Sequence, residues 1–317
     1  MTKRTSRDIP DSEHIASPRT PPLYVVPPRF VARRTPISVL VVGCGGTGSA
    51  ILGALPFLSQ ALVARGHPGL FVRVMDADRI SESNCVRQPF SQHEIGLHKA
   101  TVLVNRLNAF FGSAWDAVCA PFTATTDIAD VDLIIGCVDT RAARAAIAAA
   151  CAVPRSRLSD GGPIGPTLWL DCGNGKDFGQ VVLGELWSPK GRGPLPTISE
   201  RHPDMIDATL DASDDTPSCS ALEALTRQAP GVNALIAHTA LGLLGRLLWD
   251  GAITHHGAYI SLASGATTPI SVPSACIARL PSATKRKPPK SKKPARRRPR
   301  TARTARTAQT RRTATVP

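Results

Sequence analysis

Six kinds of residue with the right chemistry for a phosphorylated ligand lie between positions 43 and 139. The stretch Val39–Ser49 reads VLVVGCGGTGS, an apolar run that breaks into glycines and continues in a helix-like pattern. Gly43, Gly45 and Gly48 have the spacing G-x-G-x-x-G, and Gly46 adds a fourth glycine. Such a turn lets the backbone approach a phosphate at a helix N-terminus. Downstream come Asp76, able to accept from ribose hydroxyls, and Asn84 and Gln88, neutral hydrogen-bonding groups. Arg87 offers a planar fork and Lys99 a point charge, both able to meet an anion. Asp139 is a carboxylate at the end of a later strand.

Each residue also has a plainer role open to it. The glycine turn can be simple strand-to-helix packing, Asp76 a turn former, Arg87 and Lys99 solvated charges, and Asp139 the N-cap of a helix starting near Arg141.

The elements that must position these residues follow from hydrophobic periodicity. Ile37–Val42 is a buried parallel strand, followed by a helix over Thr47–Ala64 that Pro56 kinks or divides. Leu70–Asp78 is a second strand, ending 28 residues beyond Gly48 at Asp76 and running on to Asp78. A polar loop over 79–98 leads into an amphipathic helix over Gly96–Phe111 with Leu97, Val104, Leu107 and Phe111 on its apolar face. Ala114–Phe122 and Val131–Val138 are further strands, and Arg141–Ala152 is an alanine-rich helix. The alternation predicts an α/β fold, a doubly wound, mostly parallel Rossmann-like sheet whose ligands bind outside the carboxyl ends of the strands. Asp76 and Asp139 then face one crevice.

After residue 155 the pattern changes. Thr167–Cys172 and Gln180–Leu186 read as strands joined by the turn GNGKDFG, the start of an antiparallel C-terminal extension. Residues 187–217 read as a mobile crossover loop. Ser218 or Ser220 can cap a helix over Cys219–Arg227, Gly231–Trp249 is a strongly apolar helix, and HGAYISL and TPISV are two closing strands. Residues 1–36 form a proline-punctuated N-terminal arm that lies on the domain or on a neighbour. The main domain spans 37–280, and 281–317 is a disordered basic tail.

Charge is unevenly placed. The net charge is +14 from 38 Lys and Arg against 24 acids, but 14 of the basic residues and none of the acids lie in Pro281–Pro317. Without the tail, 24 bases balance 24 acids. The tail can bind nucleic acid through counterion release. The alternative is a solvated tail that binds acidic partners opportunistically. The eight cysteines form no C-x-x-C pair, so zinc is not expected and free thiols are. MTKRTSRDIP lacks a secretory apolar segment, and Gly231–Trp249 carries His238 and Arg246. A cytoplasmic protein with no membrane partner is the expectation.

The run DADRISESNCVRQPFSQHEIGLHK over residues 76–99 resembles the ThiF/MoeB and ubiquitin-activating enzyme family. The shared elements are the G-x-G-G-x-G turn, Asp at the end of the second strand, S-N-x-x-R-Q, G-x-x-K opening a helix and C-x-D after a later strand, in the family's order across Val39–Ala152. Within that superfamily the sequence is similar to the ThiF-like proteins of the PRTRC cassette of bacterial mobile elements, a similarity that extends to DTPSCS and HGAYISL. Two features depart from the family pattern: the stretch between Arg87 and Lys99 is one residue shorter than in many relatives, and the zinc-binding C-x-x-C pairs are missing.

The resemblance implies an ATP-dependent adenylyltransferase, a ubiquitin-like modifier activating enzyme. It would activate the C-terminal carboxylate of a small ubiquitin-like protein with ATP and Mg²⁺, Arg87, Lys99 and Asp139 acting at the phosphates and Asp139 holding the metal. It implies a homodimer and, as a further partner, a JAB-type peptidase. Arg144 matches a family arginine or is a surface helix charge. Arg29, Arg33 and Arg34 are candidates for an arginine that some dimeric relatives send into the partner's site. Cys219, at a helix N-terminus, is the candidate nucleophile for a following thioester, or else packs that helix start. Other functions remain open: a tRNA-modifying adenylating enzyme of the same superfamily, a non-catalytic nucleotide- and nucleic-acid-binding module in plasmid maintenance, or NAD-dependent oxidoreduction. The last gives no reason for Arg87, Lys99 and Asp139 to occur as a set.

Overall fold

An eight-stranded sheet carries the site, and its strand order sets where a ligand can enter. In the computed structural model the described residues are 21–152, 166–187, 192–213 and 228–276. The chain divides into two units, Met1–Ala278 and Arg279–Pro317, and the second lies wholly outside the described residues, as does the basic tail expected there.

The strands are β1 (Tyr24–Val25), β2 (Ile37–Val42), β3 (Leu70–Met75), β4 (Asp116–Val118), β5 (Leu133–Gly136), β6 (Leu168–Asn174), β7 (Phe178–Glu185), β8 (Ala252–Ile253), β9 (His255–Ser261) and β10 (Thr267–Ser271). The main sheet runs β10-β9-β7-β6-β5-β2-β3-β4. From β4 to β6 neighbouring strands are parallel, and from β6 to β10 they are antiparallel. The chain leaves β2 for β3 on one side and later returns to β5 on the other. That reversal opens a crevice at the carboxyl ends of β2 and β5.

The helices are α1 (Gly46–Ala64), α2 (Lys99–Phe111), α3 (Arg141–Ala152), α4 (Ile198–Arg201) and α5 (Val232–Asp250). Strand alternation sorts the core into two layers. Val39, Val41, Leu133 and Ile135 pack with residues of α1, α2 and α5, while Leu40, Val42 and Ile134 pack with Ile147 and Ala150 of α3 on the opposite face. Both α1 and α5 are long and apolar enough to cross a membrane by length and composition. Here each lays a buried stripe on the sheet, Ile51, Leu52 and Leu55 from α1 and Ile236, Ala240 and Leu244 from α5.

Several expected boundaries move. Pro56 lies inside a continuous α1 and does not divide it. The second strand stops at Met75, short of Asp78, and the fourth is a three-residue edge. Helix α2 begins at Lys99, not Gly96: Gly96 has φ +88° and Leu97 is half exposed. The described part of the crossover is not loop throughout. It holds α4 and two 3-10 turns, Pro203–Ile206 and Ala208–Ser213.

Residues 21–36 lie on the domain. β1 pairs antiparallel with β8, and Tyr24, Val26 and Phe30 are buried. Arg33 Nη1 is 2.5 Å and Arg29 Nη2 3.9 Å from the Asp132 carboxylate, just before β5 begins. That is the amino end of the parallel strands, away from the crevice, so neither side chain supplies an arginine to its own site.

His256 in β9 is fully buried, with Nδ1 2.7 Å from the Leu183 carbonyl. Burial pushes its pKa below the ordinary 6.5. The folded state therefore keeps a neutral ring where the unfolded chain takes up a proton, so stability falls as pH drops below about 6.5. The His256→Asn variant, unfolded in urea between pH 7 and 5, is expected to show a smaller loss of unfolding free energy than the parent. An equal loss in both would contradict this assignment.

Candidate functional site

At the carboxyl end of β2 the chain must leave the sheet, cross over β5 and start α1 within three residues. Gly43 makes this possible: its φ is +95°, and a Cβ there would sit 2.6 Å from the Cys137 carbonyl oxygen. Gly48, one turn into α1, has a different reason. A Cβ on it would lie 2.0 Å from the Gly43 carbonyl oxygen, so it lets the helix close on the turn. A Cβ on Gly46 would strike the Asn233 side chain at 2.2 Å, whereas one on Gly45 would meet nothing within 4 Å. Gly45 therefore leaves open space in the cavity, a cradle that a Cβ would fill.

Gly45 is also the N-cap of α1. It makes no side-chain cap bond, and the first turn contains no acid. The leading N–H groups of a 19-residue helix thus meet neither a capping side chain nor an acid of the first turn. That donor set fits a phosphate.

The cavity has a volume of about 380 Å³. Gly43, Gly45, Gly46, Asp76, Asn84, Arg87, Gln88, Lys99 and Asp139 all line it, although they come from five separate stretches of chain. Gly48 does not. Cys219 lies outside the described residues, as does the helix expected over Cys219–Arg227.

Asp76 sits where β3 ends. One carboxylate oxygen accepts from the Cys44 N–H at 2.5 Å and the other from the Asp78 N–H at 2.7 Å. Burial raises its pKa, and the two backbone donors and Lys99 oppose that rise. Each oxygen keeps a second acceptor site for a ribose hydroxyl. Burial, and after it the same carboxylate, pushes the Cys44 thiol well above its ordinary pKa, so Cys44 is an inert core residue.

Lys99 is no solvated charge. It is 5% exposed and occupies the first position of α2, where the helix dipole disfavours a cation. Its Nζ donates to Asp78 Oδ2 at 2.8 Å, and Asp78 is largely exposed. A buried ammonium against the dipole with one solvent-facing carboxylate is poised for a second anion. Asp78 was not foreseen as part of the site, although the pattern DAD carries it.

Arg87 is half-buried, and its Nη1 donates to Gln228 Oε1 at 2.8 Å. Gln228 also accepts from Asn233 Nδ2 at 3.3 Å, and Asn233 Oδ1 lies 3.0 Å from Thr47 Oγ1. Thr47 Oγ1 is 3.2 Å from Asn174 Oδ1 as well. These uncharged residues form a wall across the cavity, and no motif marks them in the sequence. On its far side a second, more apolar cavity of about 580 Å³ shares Gly46, Arg87, Gln228 and Asn233. Asn84 is buried and its Oδ1 accepts from the Ser81 N–H, holding the 82–86 turn that delivers Arg87.

Asp139 does not cap α3. The Arg141 and Ala142 N–H groups donate to Asp211 Oδ1 and Oδ2 at 2.9 and 2.8 Å, and Ala143 N–H donates to Thr140 Oγ1 at 3.2 Å. Burial alone would raise the Asp211 carboxyl, but these donors and the Arg141 guanidinium hold it below the usual range. Asp139 is left exposed on the cavity wall. Arg144 is not a surface charge: at 3% exposure its Nε donates to the buried Asp171 at 2.8 Å and its Nη2 to the Val138 carbonyl at 2.9 Å. It fixes the peptide that precedes Asp139.

Among the described residues no group of three or more His, Cys, Asp or Glu is arranged to hold a metal. The lone Asp139 carboxylate fits Mg²⁺, which takes one or two carboxylates with substrate phosphates and water.

Residues 23–167 match the ThiF family. Solved structures similar to this chain include PaaA, at 14% identity and a TM-score of 0.48, and Escherichia coli MccB, crystallised with succinimide (15%, 0.47) and with ATP (15%, 0.44). Each match covers 74% of this chain and 64% of that one, so the chain spans less than two thirds of the length of these structures. No curated protein matches.

Gly45 and Gly48 separate by experiment. Gly45→Ala is expected to unfold at the parent's temperature but to lose ATP affinity at least tenfold by calorimetry. Gly48→Ala is expected to lower the midpoint itself, because its Cβ strikes backbone. The reverse pattern would overturn this division of roles.

Proposed function

We propose that this chain, which carries a ThiF family domain at residues 23–167, is an ATP-dependent adenylyltransferase acting on the C-terminal carboxylate of a small ubiquitin-like protein. One observation supports this above others: Arg87, Lys99 and Asp139 line the same cavity as the glycine turn.

The chemistry brings an anionic carboxylate against the α-phosphate of ATP. A carboxylate oxygen bonds to phosphorus, the bond to the bridging oxygen breaks, and pyrophosphate leaves with that electron pair. The barrier is charge repulsion and alignment, so the protein's task is to neutralise and to hold. The α1 N-terminus takes phosphate oxygens on its free N–H groups. Lys99 turns its ammonium from Asp78 towards the phosphates, and Arg87 offers them its guanidinium from the opposite wall. Asp76 accepts from the ribose hydroxyls, and Met75, Ala120, Pro121 and Phe122 supply an apolar lining for the base. Asp139 would hold Mg²⁺, which when bound offsets phosphate charge. Asp211 and Arg144 keep Asp139 in place without touching the ligand. If a thioester follows, the Cys219 sulfur attacks the acyl carbon and AMP leaves.

ATP–pyrophosphate exchange with candidate β-grasp proteins tests this function. Arg87→Ala, Lys99→Ala and Asp139→Ala are each expected to slow exchange at least a hundredfold, about 2.7 kcal/mol of transition-state stabilisation, while the fold is kept. Exchange at parental rates in all three would remove these residues from the site.

A homodimer belongs to the same proposal. Phe57 of α1 and Leu235 and Trp249 of α5 are 61%, 36% and 45% exposed, large apolar side chains of the kind an interface buries. In sedimentation velocity the parent is expected to run as a dimer and Phe57→Glu/Leu235→Glu as a monomer; a parental monomer would rule the dimer out.

A further inference from the structure

Two cysteines meet at the floor of the nucleotide cavity. β5 and β6 run parallel with Gly136 opposite Asp171, so the next residues, Cys137 and Cys172, stand side by side across the pair of strands. Strand alternation puts both on the α1 face: Cys137 continues the side of Leu133 and Ile135, and Cys172 that of Leu168 and Leu170. Their side chains hydrogen-bond to one another. Cys172 is buried, whereas Cys137 is half-buried and lines the cavity with Gly43, Lys99 and Asp139. Both thiols are free. Cys44, the third cysteine at this end of the sheet, is engaged elsewhere, by a hydrogen bond to the Asp76 carboxylate.

A bond between the two sulfurs fits this register. Neighbouring strands lie about 4.8 Å apart, inside the roughly 4.4–6.8 Å between Cα atoms that a disulfide spans. The Cβ atoms, held at about the strand spacing, must come to about 3.8 Å, so the bond draws the ends of β5 and β6 together by about 1 Å. Cys137 has no slack to absorb that shift. Its N–H donates to the Val42 carbonyl at 2.8 Å, and its carbonyl oxygen backs the Gly43 turn, where a Cβ would lie 2.6 Å from it. Its own Cβ would be 3.3 Å from one on Gly48. Asp139 follows two residues later. Whatever moves Cys137 therefore moves the phosphate cradle and the acid beside it. A disulfide strained in this way is of the labile, easily reduced kind.

We infer that Cys137 and Cys172 form a reversible disulfide, made by hydroperoxides that enter through the cavity, and that this bond weakens nucleotide binding. The Cys137 sulfur attacks one oxygen of hydrogen peroxide, the O–O bond breaks, and the other oxygen leaves as water with the thiol's proton. The Cys172 sulfur then attacks the sulfur of the Cys137 sulfenic acid, the S–O bond breaks, and a second water leaves with the Cys172 proton. Two electrons pass from the sulfurs to peroxide, and a dithiol reductant returns them. Formation of the bond stands on these two side chains; its effect on ATP rests on the nucleotide site proposed above, so the test separates the two.

The full chain is treated with a small excess of hydrogen peroxide, its remaining thiols are blocked with N-ethylmaleimide in denaturant, and peptide sequencing by mass spectrometry without reductant locates the bond. Cys137 is expected to be joined to Cys172 in the parent, and equally in Cys44→Ala. Calorimetry of the oxidised parent is expected to give an ATP Kd at least tenfold above that of the reduced protein, and dithiothreitol is expected to restore it. No Cys137–Cys172 bond, a Cys44–Cys137 bond in its place, or an ATP affinity that the bond leaves unchanged overturns the inference. The bond formed in a chain that binds no ATP even when reduced upholds the disulfide and overturns the nucleotide reading instead.

Discussion

The arrangement depends first on the Asp76 carboxylate. It accepts from the Cys44 N–H on one side and from the Asp78 N–H on the other. One side chain thereby ties the glycine turn after β2 to the loop after β3. Through Asp78 the tie reaches Lys99, and with it the start of α2. Even a half-buried carboxylate is costly unless it is hydrogen-bonded, and these backbone donors offset that cost. The group suited to a ribose thus also sets the shape of the turn suited to phosphate.

A similar economy operates at β5. An aspartate just before a helix would ordinarily be consumed as its cap. Here Asp211 and Thr140 satisfy the leading N–H groups of α3, and Asp139 stays solvent-facing in the cavity. The buried Arg144–Asp171 pair anchors the preceding carbonyl. Breaking such a pair typically costs about 3–5 kcal/mol, so this end of the sheet is rigid where an acid must be held. Asp211 lies 72 residues from Asp139 in sequence. The described part of the crossover is thus fastened at two points, by Asp211 at α3 and by His202 at Tyr259.

Local patterning made much of this legible. The strand Ile37–Val42 and the helix Arg141–Ala152 were read to the residue, because a β-branched run closed by glycine and an alanine-rich run after an aspartate leave little choice. Boundaries failed where tertiary contacts override local preference. α2 looked longer because Leu97 continues its apolar spacing, but Gly96 at positive φ and the Lys99 N–H bond to the Asp78 carbonyl start the helix later. Residues 21–36 lie on the domain, one of the two placements open to the arm, and prolines hide that Tyr24, Val26 and Phe30 insert into the core.

What the sequence determined by itself is the inventory of the cavity: three glycines of the turn, an acid at the end of the second strand, two cations and a later acid, in an order that implied a shared crevice. Those residues sit on or beside elements whose periodicity is local, so spacing alone could place them. What only the tertiary structure decided is which role each takes: Gly48 packs against backbone and Gly45 opens the cradle, Asp139 is spared from capping, and Arg144 is buried. It also supplied the uncharged wall of Thr47, Asn174, Gln228 and Asn233. Those partners meet across as many as 186 positions of chain, and a hydrogen bond of that span leaves no periodic trace in a sequence, because its condition is the packing of α1, α5 and the sheet.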